Sequence, residues 1–256
     1  MASVARWSGY RRPARRAIRY RDFARNVEQS RWQKIRPRCS GRSRMRIDPY
    51  AHAPRLPGEG ERVIPAQLVG GGVLPIELEI GPGRGGFLFE RLAAANVGMI
   101  GLEIRRKWAT IVDDRLKQRG YGPRARVFAE DARDAIPRFP DASVANIYIN
   151  FPDPWWKRRH RKRLVLAKDM AKSLLRVLVP NGELFVQTDV IERAETYFAI
   201  LDEAKDLEPV GQSPWVDENP YGARSTRERR ALADGLPIYR LRYRRRALEL
   251  PGPGPG

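Results

Sequence analysis

Cysteine, histidine and long apolar runs are scarce or missing in this chain of 256 residues. The single cysteine, Cys39, excludes a disulfide within the chain and a cysteine-rich zinc site, and it favours a reducing compartment. His52 and His160 are too few and too far apart in sequence to indicate a metal cluster. No apolar run approaches the roughly 20 residues that a membrane span requires, and the N-terminus lacks the apolar segment of a secretory signal. We therefore expect a cytoplasmic protein that binds neither a metal nor a membrane.

Acidic residues are also outnumbered, since 49 lysines and arginines against 30 acids give a formal net charge of +19. Such an excess indicates a polyanion or an anionic surface as the partner. Residues 1–44 hold 14 basic and 2 acidic side chains without a sustained hydrophobic period, which predicts a basic, disordered extension. Three interpretations of it stay open: a nucleic-acid-binding arm, a targeting peptide, or a leader upstream of a start at Met45.

Domain organisation follows from length and composition. The length allows one large core, so we start from one folded domain. Prolines and glycines make residues 45–72 a linker or irregular lead-in. Residues 73–246 are the predicted folded domain, and the Pro-Gly repeat that ends residues 247–256 predicts a disordered tail.

Strands and helices alternate regularly from Leu74 onward. The predicted strands are 75–80, 97–103, 124–129, 144–149 and 183–187, and the predicted helices are 87–95, 105–119, 164–179 and 191–204. Pro180-Asn-Gly182 is expected to end the third of these helices. Two late runs, 207–210 and 238–243, are expected to pair as an antiparallel hairpin. The pattern predicts an α/β protein with a Rossmann-like, mostly parallel sheet and helices on both faces.

The loop after the fourth strand reads Asn150-Phe-Pro-Asp-Pro-Trp-Trp-Lys-Arg-Arg-His160. A rigid turn at the carboxyl end of a strand is where α/β sheets bind ligands. This one combines a carboxylate, Asp153, with the aromatic faces of Trp155 and Trp156 and a run of cations. We expect these cations and the run from Arg240 to Arg246 to bind the phosphate groups of a nucleic acid. A solvated surface loop is the other interpretation.

A glycine turn follows the first strand. Gly81, Gly83 and Gly86 fit the dinucleotide pattern G-x-G-x-x-G, and Glu103 lies about 20 residues on, where an acid would bond a ribose. The stretch Glu79-Ile-Gly-Pro-Gly-Arg-Gly85 equally fits E-x-G-x-G-x-G, which resembles the first motif of class I S-adenosylmethionine-dependent methyltransferases. One glycine run therefore fits two cofactor classes.

Acids at three successive strand ends favour the methyltransferase interpretation. Glu79 would face a pyrophosphate unfavourably, but it suits the cationic methionine end of S-adenosylmethionine. Asp131 can accept a hydrogen bond from the adenine amino group, and Glu103 serves the ribose in either class. Singly, each acid is also compatible with a solvent-facing strand end.

Six motifs lie within roughly residues 72–246: Glu79-Ile-Gly-Pro-Gly, Gly101-Leu-Glu-Ile104, Asn150-Phe-Pro-Asp-Pro-Trp with Lys157 and His160, Thr188-Asp189, Ser225-Thr-Arg-Glu228, and Pro237-Ile-Tyr239. Together they resemble the bacterial tRNA (guanine-N7-)-methyltransferases. The resemblance implies a class I methyltransferase fold and transfer of a methyl group from S-adenosylmethionine to N7 of a guanine in the tRNA variable loop. It makes tRNA the partner. The expected assembly is a monomer or a homodimer, and no metal is expected.

The resemblance also implies roles for individual residues. Asp153 is the implied catalytic residue. The implied cofactor-binding residues are Glu79, Gly81, Gly83, Glu103, Asp131 and Asp153. The implied substrate-binding residues are Lys157, Asp189, Ser225, Thr226, Arg227 and Glu228.

Two positions depart from the family's pattern. Trp156 stands where Pro or His is commoner, and Arg227 stands at the aromatic position of a Thr-x-aromatic-Glu motif. An alignment on Glu228 puts Ser225 at the threonine position, so either Ser225 or Thr226 provides the hydroxyl.

Two other functions stay open. An exocyclic-amino nucleic-acid methyltransferase is one, because the loop from Asn150 distantly resembles an Asn-Pro-Pro-aromatic loop. A non-catalytic RNA-binding protein with a degenerate methyltransferase fold is the other. Guanine N7 carries a lone pair and no proton, so the N7 reaction needs no general base and no catalytic histidine or cysteine.

Overall fold

The computed structural model describes residues 48–152 and 166–247. The extension 1–44, the basic run after Asp153 and most of the C-terminal tail lie outside the described residues. The residues outside the description include Asp153, Trp155, Trp156, Lys157 and His160. Their predicted roles therefore stay predictions.

The described strands are β1 Ile76–Ile80, β2 Gly98–Leu102, β3 Ala125–Phe128, β4 Val144–Asn150, β5 Leu178–Thr188, β6 Leu207–Pro209 and β7 Tyr239–Arg245. They form one sheet in the order β3-β2-β1-β4-β5-β7-β6. β1 to β5 are mutually parallel, whereas β7 runs antiparallel to β5 and to β6. The predicted mostly parallel sheet with a closing antiparallel pair is confirmed.

The described helices are α1 Pro65–Leu68, α2 Gly86–Ala94, α3 Arg106–Gln118, α4 Ala132–Ala135, α5 Lys168–Val177, α6 Ile191–Asp202 and α7 Thr226–Ala233. α2 and α3 contribute to one core, and α4, α5 and α6 contribute to the other. Helices therefore cover both faces of the sheet, as predicted. No helix in the described ranges is long and apolar enough to cross a membrane.

Side-chain alternation explains why the two faces differ. In β1, Ile76, Leu78 and Ile80 enter the core beneath α4 to α6, while Glu77 and Glu79 point to the opposite face. Both glutamates are buried, at 1% exposure. A buried carboxylate needs partners, so this face of the sheet carries a set of polar side chains on neighbouring strands.

Both carboxylate oxygens of Glu77 are fully hydrogen-bonded. Arg91 of α2 forms two hydrogen bonds of 2.8 Å with its carboxylate. Asn146 Nδ2 donates a third at 2.8 Å, and the Tyr148 hydroxyl donates a fourth at 3.0 Å. This network is saturated and touches no cavity described below. Loss of one partner would leave a buried charge uncompensated, so we assign the network to maintaining the fold.

The structure corrects two boundaries. Pro180-Asn-Gly182 does not separate the fifth helix from the fifth strand, because α5 ends at Val177 and β5 already begins at Leu178. Asn181 adopts a φ of 63°, and the register of β5 against β4 shifts there, so the three residues form an irregularity within the strand. α7 was not predicted at all.

The lead-in is packed onto the sheet. Leu56, Val63 and Val69 are buried in the same core as α4 to α6. The backbone N–H of Val63 donates to Arg138 O at 2.9 Å, and that of Gly70 to Pro123 O at 2.8 Å. Residues that read as a linker in the sequence thus cover one edge of the core.

Candidate active site

The glycine turn is tied to the end of β2. Gly81 N–H donates to Leu102 O at 2.9 Å, and Gly83 N–H donates to Glu103 Oε2 at 3.0 Å. Gly83 has a φ of 54°, a conformation that glycine adopts without strain. The turn therefore holds its backbone beside the acid at the next strand end.

Two cavities flank this turn at the carboxyl ends of the parallel strands, where open α/β sheets bind ligands. The first, of about 300 Å³, is lined by Glu79, Asn150 and the residues that begin α7. The second, of about 510 Å³, is lined by Glu103 and Asp131 together with apolar side chains. Gly81, Arg105 and Phe151 line both cavities. The three strand-end acids are thus divided between two adjoining spaces.

Glu79 lies at the wall of the first cavity with half of its carboxylate unused. Oε1 accepts a hydrogen bond of 2.9 Å from Asn150 Nδ2, but Oε2 has no partner among the described residues. Burial raises the pKa of Glu79 to about 7, the Asn150 hydrogen bond opposes the rise, and the charge of Glu103 adds to it. A buried acceptor without a donor beside a cavity suits a ligand that brings a cationic donor.

Glu103 and Asp131 are held by donors from their own loops. Glu103 accepts from the backbone N–H of Gly83 and from Arg105 N and Nε, each at 3.0 Å. Asp131 caps α4 by accepting from Arg133 N at 2.9 Å, and hydrogen bonds from Arg133 lower its pKa, with burial opposing. Because a carboxylate offers about four acceptor positions, Glu103 can also accept from a ligand in the second cavity. Both oxygens of Asp131 also accept from the Arg133 side chain, which is half-exposed, so a ligand that binds Asp131 would displace that side chain.

α7 begins at the first cavity. Ser225 caps the helix, with its Oγ accepting from Glu228 N at 3.0 Å. Thr226 packs against the first residue of α2, so a Cβ at Gly86 would lie 2.7 Å from Thr226 Oγ1 and 2.9 Å from Thr226 N. The last glycine of the G-x-G-x-x-G pattern therefore permits the contact between α2 and α7. Ser225, Thr226 and Arg227 all line the cavity.

Asp189 forms an ion pair with Arg227, which lines the same cavity. Asp189 follows β5 directly, and Arg227 lies in the first turn of α7. The predicted substrate positions at the end of β5 and at the start of α7 are thus brought together.

Glu228 is placed differently from its neighbours. It is fully buried, and its carboxylate accepts from Arg240 Nη2 at 3.1 Å, Gln187 Nε2 at 3.0 Å and Asn219 Nδ2 at 3.1 Å. Its side chain lines neither cavity. The Glu228 carboxylate therefore contacts side chains of the protein interior, whereas Ser225, Thr226 and Arg227 line the first cavity.

Arg240 does not lie on the surface, so its predicted phosphate contact is wrong. It is only 7% exposed, because the alternation of β7 turns it inward toward Glu228. Two further arginines of this run form ion pairs within the protein, Arg242 with Glu183 and Arg244 with Glu208.

Comparison with known proteins places this geometry in a family. The family model described as "Putative methyltransferase" matches residues 74–241. The tRNA (guanine-N(7)-)-methyltransferase of Myxococcus xanthus (strain DK1622) is 41% identical over 170 residues, which are 66% of this chain and 82% of that protein. The protein of that name from Parasynechococcus marenigrum (strain WH8102) is 35% identical over 204 residues, 74% and 86% of the two chains. The protein of that name from Anaeromyxobacter dehalogenans (strain 2CP-C) is 40% identical over 170 residues, 65% and 84%.

The chain belongs to the tRNA (guanine-N(7)-)-methyltransferase family. The resemblance noted in the sequence is thereby confirmed. The sequence did not predict the roles of three residues at the site. Asn150 is the hydrogen-bond partner of Glu79, Gln187 is the hydrogen-bond partner of Asn150, and Phe151 lines both cavities.

Phe151 is also conformationally unusual. Its φ of 50° is rare for a residue with a side chain, and its N–H donates to Gln187 O at 2.8 Å. Strained backbone of this kind costs about 1–3 kcal/mol and clusters at functional sites. Proline at 152 favours extended backbone at the preceding residue, so the positive φ of Phe151 could not be predicted from the sequence. Within 48–152 and 166–247, no three His, Cys, Asp or Glu side chains are grouped to hold a metal ion.

Proposed function

We propose that this chain transfers a methyl group from S-adenosylmethionine to N7 of a guanine in the variable loop of tRNA. The observation that carries the proposal is the pair of adjoining cavities, which unite the glycine turn, the three strand-end acids and the first turn of α7. Family membership supports the same reaction, because the relatives are named for it.

The residues present fit S-adenosylmethionine. The free oxygen of Glu79 offers an acceptor for the amino group of the methionine part. We assign Glu103 to the ribose hydroxyls and Asp131 to the adenine amino group, and Gly81 and Gly83 to the turn that lets the cofactor approach the backbone. When bound, the cofactor supplies a methyl group activated on a cationic sulfur.

The guanine is assigned to the first cavity. Asp189 is an acceptor for N–H groups of the base, and Arg227 keeps its carboxylate in place. Ser225 and Thr226 offer hydroxyls at the start of α7. The capping hydrogen bond holds Ser225 Oγ at the N-terminus of α7, so we assign the substrate-facing hydroxyl to Thr226. We infer that Lys157 contacts the tRNA from the loop after β4.

Positioning is the main catalytic task, because the N7 lone pair needs no deprotonation. Holding two reactants in line can supply roughly 7–11 kcal/mol. Methylation leaves the base cationic, so a carboxylate nearby stabilises the developing charge. We assign this role to Asp153 and, secondarily, to Asp189. The net charge of +19 supports a tRNA partner bound through its phosphates, and we infer a cytoplasmic site of action.

The test is transfer of a labelled methyl group into unmodified tRNA, followed by nucleoside analysis. We expect 7-methylguanosine, and we expect no incorporation into the same tRNA that already carries this nucleoside. A methylated exocyclic amine as the sole product would replace the proposal by the exocyclic-amino alternative. RNA binding without saturable cofactor binding in calorimetry would favour the non-catalytic alternative.

A further inference from the structure

A relay of buried hydrogen bonds joins Glu79 to Glu228. Asn150 Nδ2 donates to Glu79 Oε1 at 2.9 Å. Gln187 Nε2 donates to Asn150 Oδ1 at 2.8 Å and to Glu228 Oε2 at 3.0 Å. Arg240 Nε donates to Gln187 Oε1 at 3.3 Å, which fixes the orientation of the amide. The relay therefore crosses β1, β4, β5 and β7 at the ends that carry the two cavities.

Gln187 is the centre of this relay. Its side chain is fully buried, and the two ends of its amide meet only groups of the matching kind, acceptors at Nε2 and a donor at Oε1. Asn150 pairs with Gln187 across β4 and β5, and Gln187 pairs with Arg240 across β5 and β7. Reversal of the Gln187 amide would bring like groups together at all three of its hydrogen bonds, so this amide has one satisfied orientation.

Both ends of the relay lie beside the first cavity. At one end, Glu79 lines the cavity, and its buried Oε2 has no partner among the described residues. At the other end, Glu228 follows directly after Ser225, Thr226 and Arg227, which line the cavity at the start of α7. The saturated network of Glu77 serves as a contrast, because it lies on the same face of the sheet and reaches neither cavity.

We propose that Gln187 is a positioning residue that holds Glu79 and the first turn of α7 in one fixed relation, so that the cofactor side and the substrate side of the site are aligned together. This inference rests on the proposed function of the two sides. It predicts that damage at the α7 end of the relay weakens cofactor binding, although Glu228 lines neither cavity.

The test measures binding of S-adenosylhomocysteine by calorimetry, without tRNA, in three variants. Gln187→Met keeps the length of the side chain and removes all three hydrogen bonds. Glu228→Gln alters only the far end of the relay. Tyr148→Phe is the matched control, since it removes one buried hydrogen bond from the Glu77 network. We expect the dissociation constant to rise roughly fivefold or more in the first two variants and to stay within about twofold in the control.

Steady-state kinetics provide the second readout. Misalignment should raise the KM for tRNA and the KM for S-adenosylmethionine together in Gln187→Met, more than it lowers kcat. If Gln187→Met does not fold, Glu228→Gln carries the test by its cofactor affinity.

Three outcomes are distinguishable. Unchanged cofactor affinity in a folded Gln187→Met or Glu228→Gln would overturn the positioning role. An equal loss in Tyr148→Phe would also overturn it, because the effect would then be one of general stability. Failure of the unaltered protein to bind S-adenosylhomocysteine would instead refute the proposed function.

Discussion

Replacement of Glu79 by glutamine should remove a pH dependence from cofactor binding. Burial raises the pKa of the Glu79 carboxyl to about 7. Only the ionised carboxylate attracts the cationic amino group of the cofactor, so affinity should fall as the pH decreases through about 7. For a single group of this pKa, affinity should drop about tenfold between roughly pH 8 and pH 6.

The same pKa predicts an effect on the stability of the free protein. Because the folded-state pKa is raised above the ordinary value of 4.5, the stabilising contribution of the protonated acid is complete below pH 4.5 and is lost as the pH rises through about 7. At 1.36 kcal/mol for each pKa unit, the loss amounts to about 3 kcal/mol. Glu79→Gln stays neutral throughout, so it should be more stable than the unaltered protein above pH 7 and similar to it near pH 4.5.

The assay pairs calorimetry with chemical denaturation across this pH range. S-adenosylhomocysteine is a suitable ligand because its amino group stays largely protonated. The unaltered protein should release a proton on binding near pH 6, seen as a heat that depends on the ionisation enthalpy of the buffer. Glu79→Gln should bind weakly at every pH without this release. A flat affinity from pH 6 to pH 8 in the unaltered, folded protein would refute the role of the Glu79 carboxylate.

Three further predictions concern packing, chemistry and charge. Gly86→Ala should push α7 away from α2, which lowers the free energy of unfolding by about 1–3 kcal/mol and weakens tRNA binding. The control in thermal denaturation is Gly122→Ala, where a Cβ meets no atom closer than 3.4 Å. Equal destabilisation of the two variants would contradict the packing argument. Asp153→Ala should lose most turnover while staying folded, and a rate within about threefold of the unaltered protein, under 1 kcal/mol, would remove Asp153 from the chemistry. A chain beginning at Met45 should keep its turnover at saturating tRNA but show a shallower salt dependence, because residues 1–44 carry +12 of charge; a large loss of turnover in that folded protein would show that the extension helps to build the site.

The sheet could be predicted because each central strand has a local signature. β1 alternates Ile-Glu-Leu-Glu-Ile, and both of its glutamates are buried on the second face of the sheet. Pro180-Asn-Gly182 misled the prediction, since the same residues that end helices also fit an irregularity inside a strand. α7 has few apolar residues, so hydrophobic periodicity could not reveal it. Its capping pattern, Ser225-x-x-Glu228, was the available signal.

The site was partly predictable for the same reason. Acids at strand ends lie where parallel strands bind ligands, so the grouping of Glu79, Glu103 and Asp131 around the glycine turn follows from topology. The internal role of Glu228 does not, because it depends on Gln187, 41 residues away, and on the inward turn of Arg240. Long-range pairing of polar groups leaves no periodic trace in the sequence.

Replacement of the target atom tests the central claim most directly. A tRNA transcript made with 7-deazaguanosine keeps the Watson–Crick edge of every guanine but lacks N7. We predict that this transcript accepts no methyl group and still competes with ordinary tRNA for the enzyme. Labelled methyl incorporation at an undiminished rate would show that the chain methylates another atom, and the N7 assignment would be wrong.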